Sequence, residues 1–314
     1  MKAFAIDELG RPGSLHDLPV PEPAEGQVRV RVSAAGLNPF DNAVVQGYLK
    51  DRMEHRFPLV PGVDGSGTVD AIGAGVSAWS VGDEMFGSVG KMYLGEGTLA
   101  EFVTMSAGTI ARKPSTLEHA LAAAIPTAGV TALIMADALA LAEGHTVVAV
   151  GATGGVGSFF VQLAAKRGAR VVAVCRGENA DYARRLGAAD VIDYTTGDVA
   201  EAVRSRYPGG IDAIADTHGD KEGLARLAEQ VRSGGHVASA VGAADAEALR
   251  GRGIEATNVM GLVTTELLGA LSSMLEAGKI TAPEVRPFSL ADADDALTAL
   301  ATGHVRGKIS VTVA

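Results

Sequence analysis

The sequence predicts an α/β protein with a mostly β domain and a second domain built on a doubly wound parallel sheet. The chain has 314 residues, which favours two hydrophobic cores over one. Residues 1 to about 115 contain short alternating runs, such as Val-Arg-Val-Arg-Val at 28–32, separated by Pro and Gly. From about residue 118, apolar runs of five to seven residues alternate with amphipathic stretches, which is the pattern of βαβ units.

Composition and charge favour a globular protein that acts on a small molecule. Hydrophobic residues make up 47% of the chain and charged residues 20%, which excludes disorder as the main state. The net charge of -10 opposes binding to nucleic acid and to anionic lipid. The N-terminal segment lacks the pattern of a secretory signal, and no apolar run approaches the roughly 20 residues of a membrane span. We therefore expect a cytoplasmic protein with no nucleic-acid or membrane partner.

The cysteine and histidine content argues against a metal site. Cys175 is the only cysteine, which excludes an internal disulfide and any zinc site with two or more thiolate ligands. At a predicted strand end, without a neighbouring His or second Cys, it fits a packed apolar side chain better than a nucleophile. The seven histidines are scattered along the sequence.

The predicted elements of the second domain come from its apolar runs. Strands are expected at 146–151, 170–175, 190–193, 211–216 and 236–241. Residues 156–167 place apolar side chains at helical spacing and predict a helix that lies on the sheet. Near the C-terminus, an Asp-rich helix start precedes an alternating run at 307–313, which we expect to return to the first domain.

A glycine-rich turn between the first strand and this helix is the strongest local signal. Residues 146–157 read Thr-Val-Val-Ala-Val-Gly-Ala-Thr-Gly-Gly-Val-Gly, and they contain a dinucleotide fingerprint with Ala at its first position. Gly154 would let the backbone approach a pyrophosphate, Gly157 would let helix and strand pack closely, and the helix N-terminus would attract the anion. The alternative is a tight turn without a ligand. The predicted cofactor-binding residues here are Ala152, Thr153, Gly154, Gly155, Val156 and Gly157.

The end of the second strand indicates which dinucleotide binds. NAD-specific sites usually place an acidic residue there, about 20 residues beyond the turn, to bind the ribose hydroxyl. This chain has Arg176, whose forked cation suits a 2′-phosphate, while the nearest acid, Glu178, fits the first turn of a helix. The sequence therefore favours NADPH, and the alternative is a solvated loop arginine.

Seven ordered motifs over nearly the whole chain resemble the zinc-free quinone oxidoreductase branch of the medium-chain dehydrogenase/reductases, which is also represented by zeta-crystallin. They are Gly-Leu-Asn-Pro-Phe-Asp at 36–41, Pro-Leu-Val-Pro-Gly-Val-Asp-Gly-Ser-Gly at 58–67, Val-Gly-Asp-Glu-Met-Phe-Gly at 81–87, Ala-Ile-Pro-Thr-Ala-Gly-Val-Thr at 124–131, the turn at 152–157, Leu-Gly-Ala-Ala-Asp-Val-Ile-Asp-Tyr at 186–194 and Gly-His-Val-Arg-Gly-Lys at 303–308. The zinc-containing relatives carry Cys where this chain has Asn38, and a His-Glu pair where it has Val63-Asp64. They also bind structural zinc through a four-cysteine loop, and the matching stretch 88–102 contains no cysteine.

The resemblance implies a GroES-like β domain at 1–117, completed by 266–314, and a Rossmann domain at 118–265. For the cofactor it implies contacts from Thr131, Gly242, Leu262, Val263 and Lys308, with Tyr194 joining Arg176 at the 2′-phosphate. For the substrate pocket it implies Asn38, Asp41 and Tyr48. The alternatives are that Asp41 caps a helix and that Tyr48 only packs. His218 stands where relatives show a small or apolar residue, and both a structural histidine and a cofactor contact fit the sequence.

The implied function is reduction of a quinone or an enone by NADPH without zinc. The proton donor stays open between Tyr48, a backbone amide and a bound water. Three alternatives share the fold: a reductase of enoyl-thioesters or polyketide enones, a non-catalytic NADPH-binding protein, and a zinc alcohol dehydrogenase. We also expect a homodimer paired through a strand at 253–260.

Overall fold

The protein is described by a computed structural model that covers residues 1–313. It divides into unit 1, Met1–Thr127 with Val263–Ala314, and unit 2, Ala128–Leu262. The sequence predicted boundaries after residues 117 and 265. The first boundary moves because the helix at His119–Ala123 packs on unit 1, where Gly36 comes so close that a β-carbon there would lie 2.0 Å from the Ala123 carbonyl oxygen.

Unit 1 is built around a mostly antiparallel β-sheet. Alternation in its longest strand buries Val28, Val30 and Val32 completely, whereas Arg31 between them is exposed. The strands of the N-terminal part are β1 (Lys2–Ala5), β2 (Ser14–Asp17), β3 (Gln27–Leu37), β4 (Glu54–His55), β5 (Asp64–Ile72), β6 (Glu84–Ser88), β7 (Tyr93–Leu94), β8 (Phe102–Ser106) and β9 (Ile110–Arg112). The helices are α1 (Pro39–Val45) and α2 (His119–Ala123), and α3 (Pro126–Ala138) begins at the end of this part and continues into unit 2.

Unit 2 is a six-stranded parallel sheet with helices between the strands. Its elements are β10 (Thr146–Val150), α4 (Gly155–Lys166), β11 (Arg170–Cys175), α5 (Ala180–Arg185), β12 (Asp190–Asp193), α6 (Val199–Arg206), β13 (Ile211–Asp216), α7 (Lys221–Ala228), β14 (Val231–Ser239), α8 (Ala246–Arg250) and β15 (Glu255–Asn258). The strand order is β12-β11-β10-β13-β14-β15, so the winding reverses between β10 and β13. The carboxyl ends of strands at such a reversal form the crevice where open α/β sheets bind ligands.

The C-terminal part returns to unit 1, as the alternating run predicted. It contains α9 (Thr265–Glu276), β16 (Val285–Ser289), α10 (Ala293–Ala301) and β17 (Lys308–Thr312). Strand β17 pairs antiparallel with β3, with Ile309 opposite Leu37, and parallel with β16. The main sheet of unit 1 therefore has the order β16-β17-β3-β5-β6-β9, and β8 also pairs with β3.

Each unit has its own apolar core. In unit 1, Phe4, Ile6 and Leu99 are among the fully buried side chains, and in unit 2 the strands β10, β11 and β13 are buried along most of their length. Within residues 1–313, none of the helices is both long and apolar enough to cross a membrane. The mostly β domain and the doubly wound parallel sheet that the sequence predicted are confirmed.

Candidate functional site

The glycine-rich turn lies where the sequence placed it, between β10 and α4. Gly154 is the N-cap of α4, and only the Gly151 carbonyl oxygen, at 3.4 Å, would come near a β-carbon there. Gly157 is packed much more tightly, because a β-carbon there would lie 2.1 Å from the same oxygen. Gly157 therefore permits close packing of helix on strand, as predicted, and the space at Gly154 is compatible with its predicted role at a pyrophosphate, which stays a prediction.

The end of β13 lies beside this turn at the reversal of the sheet. The Thr217 hydroxyl donates to the Val150 carbonyl at 2.8 Å, and a β-carbon on Gly151 would come within 2.9 Å of the His218 β-carbon. Asp216 is fully buried and accepts hydrogen bonds from the His218 and Gly219 amides and from the Ser239 hydroxyl. His218 thus lies on a fixed loop next to the glycine-rich turn, with its side chain exposed.

Arg176 and Tyr194 are brought together at the ends of β11 and β12. The Arg176 Nε donates to the Tyr194 hydroxyl at 3.1 Å, as expected if both serve one phosphate. Asp193, which ends β12 just before Tyr194, accepts from the Thr195 amide and hydroxyl at 2.9 and 2.7 Å. The Thr195 hydrogen bonds hold the pKa of Asp193 below its ordinary value, so a fixed negative charge lies close to the arginine.

A buried polar cluster in unit 1 contains two of the three predicted pocket residues. The Lys308 ammonium donates to the Asn38 Oδ1 at 2.6 Å and to the Leu37 carbonyl at 2.5 Å. The Asn38 Nδ2 donates to the Asp64 carboxylate at 2.9 Å, and Asp64 accepts from the Thr127 amide at 2.9 Å and the Thr127 hydroxyl at 2.8 Å. We call Asn38, Asp41, Asp64, Thr127 and Lys308 the Lys308 cluster.

Asp41 has the capping geometry that was the alternative to a pocket role. Its Oδ2 accepts from the Asn38 amide at 2.7 Å, which satisfies a free N–H at the start of α1. Its Oδ1 is buried without a hydrogen-bond partner among the described residues. Burial raises the pKa of Asp41 to about 7, and the Asp64 carboxylate acts in the same direction. Its predicted place in the substrate pocket stays a prediction.

Burial also shifts the other two charged members of the Lys308 cluster. It raises the pKa of Asp64, which the Lys308 ammonium opposes, and it lowers the pKa of Lys308, which both carboxylates oppose. The structure differs from the prediction for Lys308 here. The ammonium was assigned to the cofactor, but Lys308 is 5% exposed and its ammonium donates to Leu37 and Asn38.

The remaining predicted residues are not gathered into one place by contacts within either unit. Tyr48 lies outside the Lys308 cluster and is 76% exposed. Thr131 is buried in α3, Gly242 has a positive φ of 74° and open space at its β-carbon position, and Leu262 is 67% exposed. Val263 follows as the first residue of the C-terminal part of unit 1. Their roles at the cofactor stay predictions.

Known proteins share this sequence and this fold. The alcohol dehydrogenase GroES-like domain family matches residues 24–115, and a zinc-binding dehydrogenase family matches residues 186–311. A mitochondrial NAD(P)H oxidoreductase of Mus musculus is 30% identical over 359 residues, covering 100% of this chain and 89% of that protein. The chloroplastic NADPH-dependent alkenal/one oxidoreductase of Arabidopsis thaliana is 30% identical over 325 residues, covering 99% and 79%. The solved structure of the quinone oxidoreductase from Coxiella burnetii matches with a TM-score of 0.89 at 30% identity, covering 100% and 99%.

The chain belongs to the medium-chain dehydrogenase/reductase superfamily, in its quinone oxidoreductase-like branch. The resemblance seen in the motifs is thereby confirmed, together with the GroES-like domain and the Rossmann-like sheet. As a member of this branch, the protein is an oxidoreductase that uses a nicotinamide cofactor.

The residues of this oxidoreductase do not fit the zinc ion that the description of one matching family names. Of the positions that hold ligands in zinc-containing relatives, one carries Asn38, whose amide oxygen faces the Lys308 ammonium. An ammonium at this distance would repel a metal ion, and an amide is a poor replacement for a thiolate. Across residues 1–313, no group of three His, Cys, Asp or Glu side chains could hold a metal.

Sequence reasoning missed parts of the Lys308 cluster and of the turn. Asp64 was considered only as a replaced zinc ligand, and Thr127 was not singled out. The available signals were a lysine in an otherwise apolar alternating strand and an aspartate among the apolar residues of 59–69. Gly151 was outside the fingerprint as it was aligned, although it is the glycine of the turn with a positive φ, 75°, a conformation that favours glycine.

Proposed function

We propose that the protein is a zinc-independent, NADPH-dependent reductase of quinones or α,β-unsaturated carbonyl compounds. The observation that carries this proposal is the meeting of Arg176 and Tyr194 at the ends of neighbouring strands, next to a glycine-rich turn that is open at Gly154. Arginine paired with a phenol at this position suits a 2′-phosphate, which distinguishes NADPH from NADH.

The anion-binding parts of unit 2 support a dinucleotide. The N-terminus of α4 offers backbone N–H groups and a positive dipole end, and Gly154 leaves them accessible to a pyrophosphate. Beside it, the Thr217 turn holds the edge of the glycine-rich turn in place. The arrangement offers two places for phosphate, at the turn and at Arg176, so we expect the affinity for NADPH to depend on both.

The acceptor class is supported by the relatives. One relative acts on alkenals and alkenones with NADPH, and one structural neighbour is a quinone oxidoreductase. The Lys308 cluster has no place for a Lewis-acid metal, so polarisation of a substrate carbonyl falls to hydrogen-bond donors of the chain. Tyr48 is the exposed phenol of the predicted pocket and is our candidate donor.

The proposed chemistry adds two electrons and two hydrogens to the acceptor. The nicotinamide, when bound, supplies a hydride to the β-carbon of an enone or to a quinone. The chain stabilises the negative charge that develops on the acceptor oxygen and delivers one proton, which completes the saturated ketone or the hydroquinone. The protein's own contribution is orientation and charge stabilisation, and no covalent intermediate is required.

We also propose that the protein is a cytoplasmic homodimer. Strand β15 lies at the edge of the parallel sheet and pairs on one side with β14, so its other side offers unpaired backbone groups. The predicted pairing strand at 253–260 contains β15. Sedimentation or scattering that gave a monomer at micromolar concentration would exclude this part of the proposal.

The test of the function is NADPH oxidation by the purified protein against 1,4-quinones, 2-alkenals and enoyl-thioesters, with NADH run in parallel. Turnover of quinones or alkenals with NADPH is the expected result. Preference for enoyl-thioesters would select the thioester reductase instead. NADPH binding without turnover of any acceptor would indicate a non-catalytic binding protein, and no binding would remove the cofactor proposal.

A further inference from the structure

Lys308 joins four segments of unit 1 that are far apart in the sequence. It begins β17 and donates to Leu37 and Asn38, which end β3 and precede α1 and lie 271 and 270 residues away. Asn38 reaches Asp64 at the start of β5, and Asp64 holds Thr127 in the first turn of α3. One side chain therefore begins a chain of hydrogen bonds that fixes the starts of two helices.

The chemistry of the groups fixes the orientation of the Asn38 amide. An ammonium can only donate hydrogen bonds and an ionised carboxylate can only accept them. Asn38 lies between the two, so its oxygen must face Lys308 and its nitrogen must face Asp64. Without Lys308, the oxygen would lose its buried donor, and only the hydrogen bond to Asp64 would still orient the amide.

The segment that this amide begins carries exposed aromatic side chains. Asn38 is the N-cap of α1, and Asp41 in the first turn of the same helix accepts from the Asn38 amide. Phe40 in α1 is 37% exposed and Tyr48, just after it, is 76% exposed. Flat apolar side chains of this kind suit contact with a planar quinone or enone.

We propose that Lys308 is a positioning residue for the electron acceptor: through Asn38 it sets the start of α1 and so the placement of Phe40 and Tyr48. This inference rests on the proposed function for the identity of the acceptor. It assigns Lys308 to the substrate side of the protein and predicts that its removal leaves nucleotide binding intact.

The experiment compares Lys308→Met with a matched control, Lys113→Met. Lys113 is also a buried lysine of unit 1, 6% exposed at its side chain, with its ammonium donating to the Leu117 carbonyl, but it has no link to α1. For Lys308→Met we expect a rise on the order of tenfold in KM for the acceptor, because small misplacements of a binding segment are costly. The Kd for NADPH should stay within about twofold. Lys113→Met should change neither.

A double variant separates positioning from charge balance. Lys308→Met/Asp64→Asn removes one positive and one negative charge, so it should recover most of the thermal stability lost in Lys308→Met. If Lys308 positions Asn38, the KM of the double variant stays raised and hydrogen exchange of residues 38–48 stays faster than in wild type. Recovery of both KM and exchange to wild-type values would show that Lys308 only balances charge, and would overturn the proposal.

Hydrogen exchange also keeps the test independent of the proposed function. If the wild-type protein reduced none of the acceptors, the proposed function would fail, while protection of residues 38–48 would still report positioning. Unchanged protection in Lys308→Met, or in the double variant if the single variant does not fold, overturns the proposal whatever the activity is.

Discussion

Arg176 and Tyr194 meet through one hydrogen bond, in which the arginine Nε donates to the phenol oxygen at 3.1 Å. The two residues follow the parallel strands β11 and β12, where Cys175 lies opposite Asp193. Because the bond uses Nε, the terminal nitrogens of the guanidinium fork are the groups offered to a phosphate. The order of the strands in unit 2 therefore brings together the two residues that we propose select NADPH over NADH.

The first prediction concerns this choice. Arg176→Ala should weaken NADPH binding by about tenfold to a hundredfold, the range for losing charge-assisted hydrogen bonds, and should leave NADH binding nearly unchanged. Both Kd values can be measured by fluorescence titration. Arg250→Ala removes an exposed arginine of α8 and serves as the control. Equal weakening for both nucleotides would show that Arg176 does not read the 2′-phosphate.

Two glycines of the turn should respond in opposite ways. Gly154→Ala has room in the protein and a negative φ of -79°, so its Tm should stay near that of wild type. Its methyl group would obstruct a pyrophosphate, so NADPH and NADH should both bind at least about tenfold more weakly. Gly157→Ala places its methyl group 2.1 Å from the Gly151 oxygen, so its Tm should fall. Wild-type nucleotide binding by Gly154→Ala would contradict the assignment.

Sequence reasoning succeeded where local pattern determines the structure. Strands β11, β12 and β13 have the predicted bounds, because buried parallel strands are continuous apolar runs and need no distant information. Strand β14 begins at Val231 and not at 236. Val231 pairs with Ile211 and His236 with Ala213, so Gly234 and Gly235 lie in an irregularity within one strand, which resembles a turn in the sequence. The sequence-based boundary placed helix α2 in the second domain, whereas the helix belongs to unit 1. The pattern of apolar residues does not show which sheet the buried alanines of α2 contact.

The Lys308 cluster could not be assembled from the sequence for a different reason. Its members are polar side chains whose burial depends on pairing across 270 residues, between β17 and the end of β3. The family motifs include Asn38, Asp41 and Lys308, but they do not show that the lysine side chain contacts the asparagine. The contact between Arg176 and Tyr194 was easier to predict from the sequence than the Lys308 cluster, because neighbouring parallel strands place their ends side by side.

The buried Asp41 carboxyl makes the stability of the protein depend on pH. Burial raises the pKa of Asp41 from 3.8 to about 7. Between these two pH values, the Asp41 carboxyl is protonated in the folded state and ionised in the unfolded chain. Stability from this group is fully present below pH 3.8 and is lost as pH rises through about 7. Asp41→Asn should remove this loss and gain stability relative to wild type between pH 5 and pH 8.

Urea denaturation at several pH values measures this difference. The pKa of Asp64 is also raised, so Asp64 adds its own pH dependence of stability to both proteins. The prediction therefore concerns the difference in the free energy of unfolding between wild type and Asp41→Asn. Asp245→Asn, which changes an exposed helix cap in unit 2, is the control for loss of one negative charge. A constant difference between wild type and Asp41→Asn from pH 5 to pH 8 would mean that Asp41 is ionised throughout.

The segment at 88–102, which lacks the cysteines of a structural zinc loop, has a buried ion pair. The Lys91 ammonium, 4% exposed at its side chain, pairs with Glu96 and donates to the Thr104 hydroxyl. Glu96 also accepts from Tyr93 and Thr104. Glu96→Gln should lower the free energy of unfolding by about 3 kcal/mol, because it leaves a buried ammonium without its counter-charge.

Chemical denaturation checks the Glu96 prediction. Glu201→Gln is the matched control, because Glu201 forms an exposed pair with Arg204 and should change stability by less than about 1 kcal/mol. Equal effects of the two substitutions would show that the Lys91–Glu96 pair does not stabilise the segment.

Hydride transfer from NADPH to a conjugated acceptor is the central step of the proposed function, and isotope transfer measures that step directly. The protein is incubated with a 2-alkenal and NADPH that carries deuterium at the transferable position, and the saturated product is analysed by NMR. We predict one deuterium at the β-carbon of the product, with the α-hydrogen derived from solvent. A product without deuterium at the β-carbon, or no product from any quinone or alkenal in the presence of bound NADPH, would contradict the account.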